Sequence, residues 1–268
     1  MIKLIVSDLD DTLIHKADHL DAGTINLVKK VEDAGVAFTF ATGRMPYRAE
    51  NFAKDIDLEI PFVANNGSIL YCKGEIVFSK MLEAGILREL LRRYMAKNPE
   101  FTVIFSYEDC ERPMKITHWI QDRLHKYPGY DAPLGDTDAS WDQKVHKIYV
   151  VDEYRTGDIG RLAKELSAMT AHLSYYPYGS FSMEIIAEGC SKATGVQRLL
   201  ELLKYKREEV MAIGDHTNDI EVLQLAGLGI AVGNAVPELK AVANHITKAE
   251  REQGVKEAIQ EFVLQGGN

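Results

Sequence analysis

Cysteine is scarce. The three present, Cys72, Cys110 and Cys190, are widely spaced and form no Cys-x-x-Cys pair. So sparse and odd a set argues against a disulfide framework and fits a reducing compartment. Long apolar runs are also lacking, and none approaches the roughly 20 residues of a membrane-spanning helix. No basic, then apolar, then small-residue leader opens the chain. These absences lead to the expectation of a soluble, cytoplasmic protein without membrane attachment. Positive charge is in deficit, with 31 Lys and Arg against 40 Asp and Glu. A net charge of −9 argues against a nucleic-acid backbone as the main partner, which calls for a basic surface. A small anionic ligand needs only local positive groups. Internal repeats and low-complexity tracts are missing, and no obligate protein partner is evident. What is left is a 268-residue chain, 46% hydrophobic, enough for one large domain or two modest ones.

Within that chain the dominant pattern is an alternation. Ile2–Ser7 reads as a strand. Thr24–Ala34 spaces Ile25, Leu27, Val28, Val31 and Ala34 as a helix does, and Gly35 stops it. Val36–Ala41 reads as a strand, Tyr47–Lys54 as a helix and Pro61–Ala64 as a short strand. The rhythm resumes with a helix over Thr194–Leu203, a strand over Glu209–Ile213 and a helix over Asp219–Ala226. A strand over Leu228–Val232, an edge strand over His245–Thr247 and a helix over Gly254–Leu264 close it. Such alternation predicts an α/β protein with a parallel sheet covered by helices. The middle differs. Helical patterns cover Leu82–Lys97, Met114–Lys126 and Ile159–Met169, and strand patterns cover Phe101–Tyr107 and Val145–Val151. Two more strands meet near Gly179–Ser180 within 172–186, and 128–140 is the most loop-like stretch. Strands paired in sequence suggest an antiparallel sheet with helices on one side. The expected organisation is therefore an α+β insertion at 83–186 between 1–82 and 187–268.

In "KLIVSDLDDTL", Asp8, Asp10 and Asp11 crowd the end of the first strand. Like charges this close repel, and carboxylates at a strand end lose hydration. Turn formation or helix capping can place acidic residues there. A calcium loop beginning D-x-D is excluded, because its sixth and twelfth positions hold Leu13 and His19 instead of Gly and Glu. A phospho-accepting receiver domain is much shorter and spaces its acids differently. Ligands of open parallel sheets bind beyond the carboxyl ends of the strands. Asp8 and Asp10 lie at such an end, as do Thr42 after the second strand and Asp215 after "VMAI". Crowded carboxylates become favourable around a hard divalent cation such as Mg2+, which prefers oxygen ligands. Lys192 precedes a helix; alone it reads as a solvated charge, as Thr42 alone reads as a capping hydroxyl. His15 and His216 lie near these motifs and are given no role. Four motifs in this order on strand ends point to one shared site.

The chain resembles the haloacid dehalogenase superfamily, specifically its Cof-type hydrolases with a large α/β cap. The resemblance spans essentially the whole sequence. It rests on "SDLDDTL" at 7–13, "ATGR" at 41–44, "NNG" at 65–67, "SKATG" at 191–195, "GDHTNDIEVL" at 214–223 and "GIAVGNA" at 229–235. It implies a Rossmann-like core with helices on both faces and an inserted α+β cap that closes over the site and selects the substrate. It implies a Mg2+-dependent phosphatase of small phosphorylated metabolites, such as sugar phosphates, acting through an aspartyl-phosphate. Asp8 would be the nucleophile, and Asp10 the acid that serves the leaving alcohol and then the base that activates water. The Asp8 carboxylate, the Asp10 carbonyl and Asp215 would hold the metal. The backbone at Leu9, Thr42 and Gly43, with Lys192 and Asn218, would hold the phosphate, while Asp219 would orient these ligands. Thr12 would shape the turn, and Arg44 would make a surface or hinge contact. A phosphosugar mutase on the same scaffold and a non-catalytic phosphometabolite sensor are the alternatives.

Overall fold

The computed structural model describes residues 1–16, 19–124, 126, 129–169 and 173–265. The chain falls into two compact units, one made of Met1–Phe78 and Ser191–Asn268, the other of Ser79–Cys190. In chain order the first unit begins with β1 (Leu4–Asp8), α1 (Ala22–Asp33), β2 (Ala37–Ala41), α2 (Pro46–Asp55), β3 (Phe62–Ala64), β4 (Ile69–Cys72) and β5 (Glu75–Ser79). The second unit holds β6 (Leu82–Glu83), α3 (Arg88–Lys97), β7 (Thr102–Ser106), β8 (Glu111–Pro113), α4 (His118–Arg123) and α5 (Asp138–Trp141). It continues with β9 (Lys144–Val145), β10 (Lys147–Val151), α6 (Asp158–Ala168), β11 (Leu173–Tyr178) and β12 (Ser182–Ala187). The chain then adds α7 (Lys192–Leu203), β13 (Val210–Gly214), α8 (Ile220–Leu225), β14 (Leu228–Ala231), α9 (Pro237–Lys240), β15 (His245–Ile246) and α10 (Arg251–Ile259) to the first unit.

The first unit is built on one sheet in the order β15-β14-β13-β1-β2-β3-β4-β5. All pairings from β15 to β3 are parallel. Alternation along β1 decides which face each side chain serves. Ile5 joins Val28 and Val31 of α1, Phe52 of α2 and Val255 and Ile259 of α10. Its neighbours Leu4 and Val6 join Val196 and Leu199 of α7, Val222 of α8 and Leu239 of α9. Helices thus cover both faces. α1 starts where the Asp21 carboxylate accepts from the Gly23 and Thr24 N–H groups, and it stops before Gly35, whose φ of 77° a Cβ would oppose. The sheet is not purely parallel, because β4 pairs antiparallel with β3 across the 65–67 turn. A turn this tight returns the chain beside itself, leaving no length for a crossover.

The second unit carries an antiparallel sheet in the order β11-β12-β10-β7-β8. Val103, Phe105, Ile148 and Val150 pack against Leu91 of α3 and Ile159 and Leu162 of α6. Helices were expected on that side alone. Yet Ile104 and Val151, pointing the other way, pack against Trp119 and Ile120 of α4. The expected long helix over Leu82–Lys97 is instead the strand β6, a 3-10 turn over Ala84–Leu87, and α3. β6 pairs with β9, Leu82 opposite Val145, and the compact unit that holds them runs over Ser79–Cys190. The helix expected over Met114–Lys126 is only the six residues of α4, which the Thr117 hydroxyl caps at its start. Residue 172, expected to open the next strand, and residue 128, expected to open the loop, lie outside the described residues.

Candidate active site

Three neighbouring parallel strands end in a row. Register pairs Asp8 with Ala41 and Ser7 with Ile213, so the residues beyond β13, β1 and β2 emerge side by side. Those residues are Asp215, the Asp8–Asp10 segment and Thr42. From the other chain segment comes Lys192, first residue of α7. Ser191 caps that helix, its hydroxyl accepting from the Thr194 N–H while Thr194 reciprocates. α7 approaches so closely because two glycines face each other. A Cβ at Gly67 would lie 1.8 Å from the Ser191 carbonyl oxygen, and one at Gly195 would lie 2.6 Å from the Gly67 Cα.

The Lys192 ammonium donates to Asp8 Oδ1 at 2.6 Å and to Asp219 Oδ1 at 2.7 Å. All three residues are buried, as is Asp215. The other Asp219 oxygen accepts the N–H groups of Asp215 (3.1 Å) and His216 (3.2 Å). Gly214 makes room for it, since a Cβ there would lie 2.6 Å from the Asp219 Cγ. Asp219 thereby fixes Lys192 and the loop that carries Asp215. Thr12 does more than shape a turn: its hydroxyl donates to Asp215 Oδ1 at 2.9 Å. Leu9 anchors the turn, its carbonyl accepting from Leu13 and Ile14 at 2.9 Å.

Burial pushes the Asp8 carboxyl well above the usual range; Lys192 pulls it back in part, and Asp219, Asp215 and Asp10 add to the rise. Burial also raises Asp215, helped by Asp219 and opposed by the Thr12 hydroxyl. Burial alone would lower Lys192, but Asp219 and Asp8 outweigh it and keep the ammonium charged above its ordinary 10.5. One lysine thus serves a buried group of three carboxylates, Asp8, Asp215 and Asp219, whose nearest oxygens lie within 4.8 Å of one another. An excess of buried, raised carboxylates is relieved by a hard cation, and an all-oxygen donor set suits Mg2+. With both Asp219 oxygens engaged, Asp8 and Asp215 are the carboxylates that fit it.

Several expected residues sit differently. The Thr42 N–H was expected at the phosphate, but it donates to the Val63 carbonyl at 2.8 Å, because β2–β3 pairing claims it. The Thr42 hydroxyl accepts from the Arg44 N–H at 3.1 Å and keeps its own proton to donate. Gly43 follows directly. The Asn218 amide donates to Asn66 Oδ1 at 3.2 Å, and Asn66 stands in the left-handed region at φ 48°. Asp10 is exposed where the cluster is buried. Its carboxylate, 53% exposed, meets Arg44 Nη2 at 2.6 Å. Thr12, Arg44 and Asn66 thus make contacts that the sequence does not show. Each lay inside a recognised motif, but none has a spacing that announces its partner.

A family model described as haloacid dehalogenase-like hydrolase matches residues 5–259. Phosphoglycolate phosphatase 1 of Saccharolobus solfataricus is 27% identical over 268 residues, spanning 98% of this chain and 96% of the relative. The 5-amino-6-(5-phospho-D-ribitylamino)uracil phosphatase YitU of Bacillus subtilis is 26% identical over 266 residues, spanning 97% of each chain. Among solved structures, the phosphatase BT1666 from Bacteroides thetaiotaomicron superposes with a TM-score of 0.79 at 22% identity, covering 98% of this chain and 95% of that one. The chain belongs to the haloacid dehalogenase-like hydrolase family and is a phosphatase.

Proposed function

We propose that the protein is a Mg2+-dependent phosphatase of small phosphorylated metabolites that works through an aspartyl-phosphate on Asp8. The observation that carries this reading is the buried Asp8 carboxylate, held by Lys192 beside Asp215 at the carboxyl end of β1. One Asp8 oxygen attacks phosphorus as the ester P–O bond breaks, and the leaving oxygen takes a proton from Asp10. Asp10 then removes a proton from water, which attacks the phosphoryl group, releases inorganic phosphate and restores Asp8. Lys192, the Asn218 amide, the Thr42 hydroxyl and the N–H groups of Leu9 and Gly43 hold the equatorial oxygens, whose negative charge they balance. The carboxylates of Asp8 and Asp215 with the Asp10 carbonyl would hold Mg2+, which supplies charge neutralisation between phosphate and nucleophile. Relatives named for phosphoglycolate and for a phosphorylated ribitylaminouracil support monoesters of small metabolites as the substrate class.

A phosphate-release screen against phosphorylated metabolites tests this. Release is expected with Mg2+ and should stop with EDTA. Asp8→Asn should lower it by at least about 10³-fold, since an amide neither attacks phosphorus nor ligates the cation well. Phosphate release that survives in Asp8→Asn, or isomer formation without release, would overturn the reading.

A further inference from the structure

We infer that Arg44 is a positioning residue that sets the orientation of the Asp10 carboxylate, an inference that rests on the role of Asp10 proposed above. Asp10 is more than half exposed, and an exposed Asp side chain is free to move between staggered rotamers. Among the described residues, Arg44 is the one side chain that hydrogen-bonds it. The contact is a fork: Nη2 donates to Oδ1 at 2.6 Å, and Nε donates to Oδ2 at 3.0 Å and to Oδ1 at 3.2 Å. Two parallel N–H···O bonds fix direction as well as distance, which a lysine ammonium does not do.

The fork is itself held still. The guanidinium lies 5.2 Å from the centre of the Phe52 ring, buried on α2, and Nη1 donates to the Arg48 carbonyl at 3.4 Å. The Arg44 N–H donates to the Thr42 hydroxyl, and its carbonyl accepts the Asn65 N–H at 2.8 Å. Arg44 thus joins the end of β2, the start of α2 and the 65–67 turn, and it aims its free edge at the segment after β1. A half-exposed ion pair contributes little to stability, so this arrangement is expected to matter for turnover and not for folding.

The test is a double-mutant cycle on an alkyl phosphate. Arg44→Ala should lower kcat about 10- to 100-fold, the scale of a misplaced catalytic group, with KM changed less than about threefold. Arg44→Lys should recover only part of the loss. Guanidinium chloride, far below denaturing concentration, should restore part of the Arg44→Ala rate, while equal KCl should not. In an Asp10→Asn background, Arg44→Ala should add less than about twofold. Equal losses in both backgrounds, or a loss confined to KM, would overturn the inference and leave the role of Asp10 standing. Near-wild-type turnover in Asp10→Asn alone would instead sink the role of Asp10. If Arg44→Ala melts well below the parent, Arg44→Gln and Arg44→Lys carry the same cycle.

Discussion

At the scale of the residue, the site depends on which donor holds each carboxylate. Asp215 is buried and raised, and the Thr12 hydroxyl is the neutral donor that steadies it. Removing that donor while keeping the side-chain shape isolates its effect. If Asp215 holds Mg2+ as proposed, Thr12→Val should leave the fold intact and weaken Mg2+ affinity roughly 10- to 100-fold, the usual loss when a group that orients a metal ligand is removed. Titration of activity against Mg2+ reads this directly; an unchanged half-saturation point would mean that Asp215 needs no such support. Thr12 also shows the limit of a linear reading. "DLDDT" put the hydroxyl near the acids, but its partner is 203 positions away, and no spacing rule reports a contact of that kind.

At the scale of the element, the decisive contact is the N-terminus of α7 against the 65–67 turn. Gly67 has φ 86°, and a Cβ there would collide with the Ser191 carbonyl. Gly67→Ala meets strain and overlap together, so α7 must shift and Lys192 with it. A loss of about 2–4 kcal/mol in denaturant unfolding is expected, with turnover reduced at least tenfold; wild-type values of both would show that α7 tolerates the displacement. A second element-scale effect concerns His146, between β9 and β10, whose pKa burial lowers from its ordinary 6.5 while Glu108 opposes the shift. The sign follows from proton binding. Below pH 6.5 the unfolded chain binds the proton more readily than the folded one, so stability from this group is present above 6.5 and lost as pH falls below it. His146→Gln should therefore flatten the fall in stability as pH drops below 6.5, measured as the difference from the parent so that the active-site acids cancel. A parallel pair of curves would exclude the effect.

At the scale of the whole molecule, each unit has its own apolar core. Ile5, Phe38 and Val28 belong to the first, and Phe105, Ile148 and Trp141 to the second. Independent cores allow one unit to be removed. Replacing Ser79–Cys190 by a short glycine–serine linker should leave the eight-stranded sheet folded and the aspartates in place, with substrate selectivity altered. Comparing phosphate release from large and small esters tests this, and an unchanged profile would assign the second unit some task other than selection.

Much of the architecture was legible because it follows from local rules. Apolar runs of strand length, helical spacing and Gly35 mark the βα alternation, and the alternation alone implies strand ends that face one way. The acids at those ends were legible too, since three carboxylates after a buried strand make little sense without a partner of opposite charge. What the sequence could not reveal are relations between distant segments. The short pieces β6, β8 and β9 exist because they pair, and Leu82 and Val145 carry no periodic signal by themselves. α4 covers the face opposite α3 and α6 because alternation along β7 leaves Ile104 apolar on that side, a need visible only once the strand's neighbours are known. Thr42 keeps its hydroxyl and loses its N–H because β3 lies beside it. Arg44 meets Asp10 because parallel pairing places the end of β2 next to the end of β1. The chain by itself thus determined the residue types and the order of the elements, through backbone propensity and apolar pattern. Tertiary structure alone decided which donor meets which acceptor, because hydrogen bonds and ion pairs act over a few ångströms and only folding brings residues hundreds of positions apart within that range.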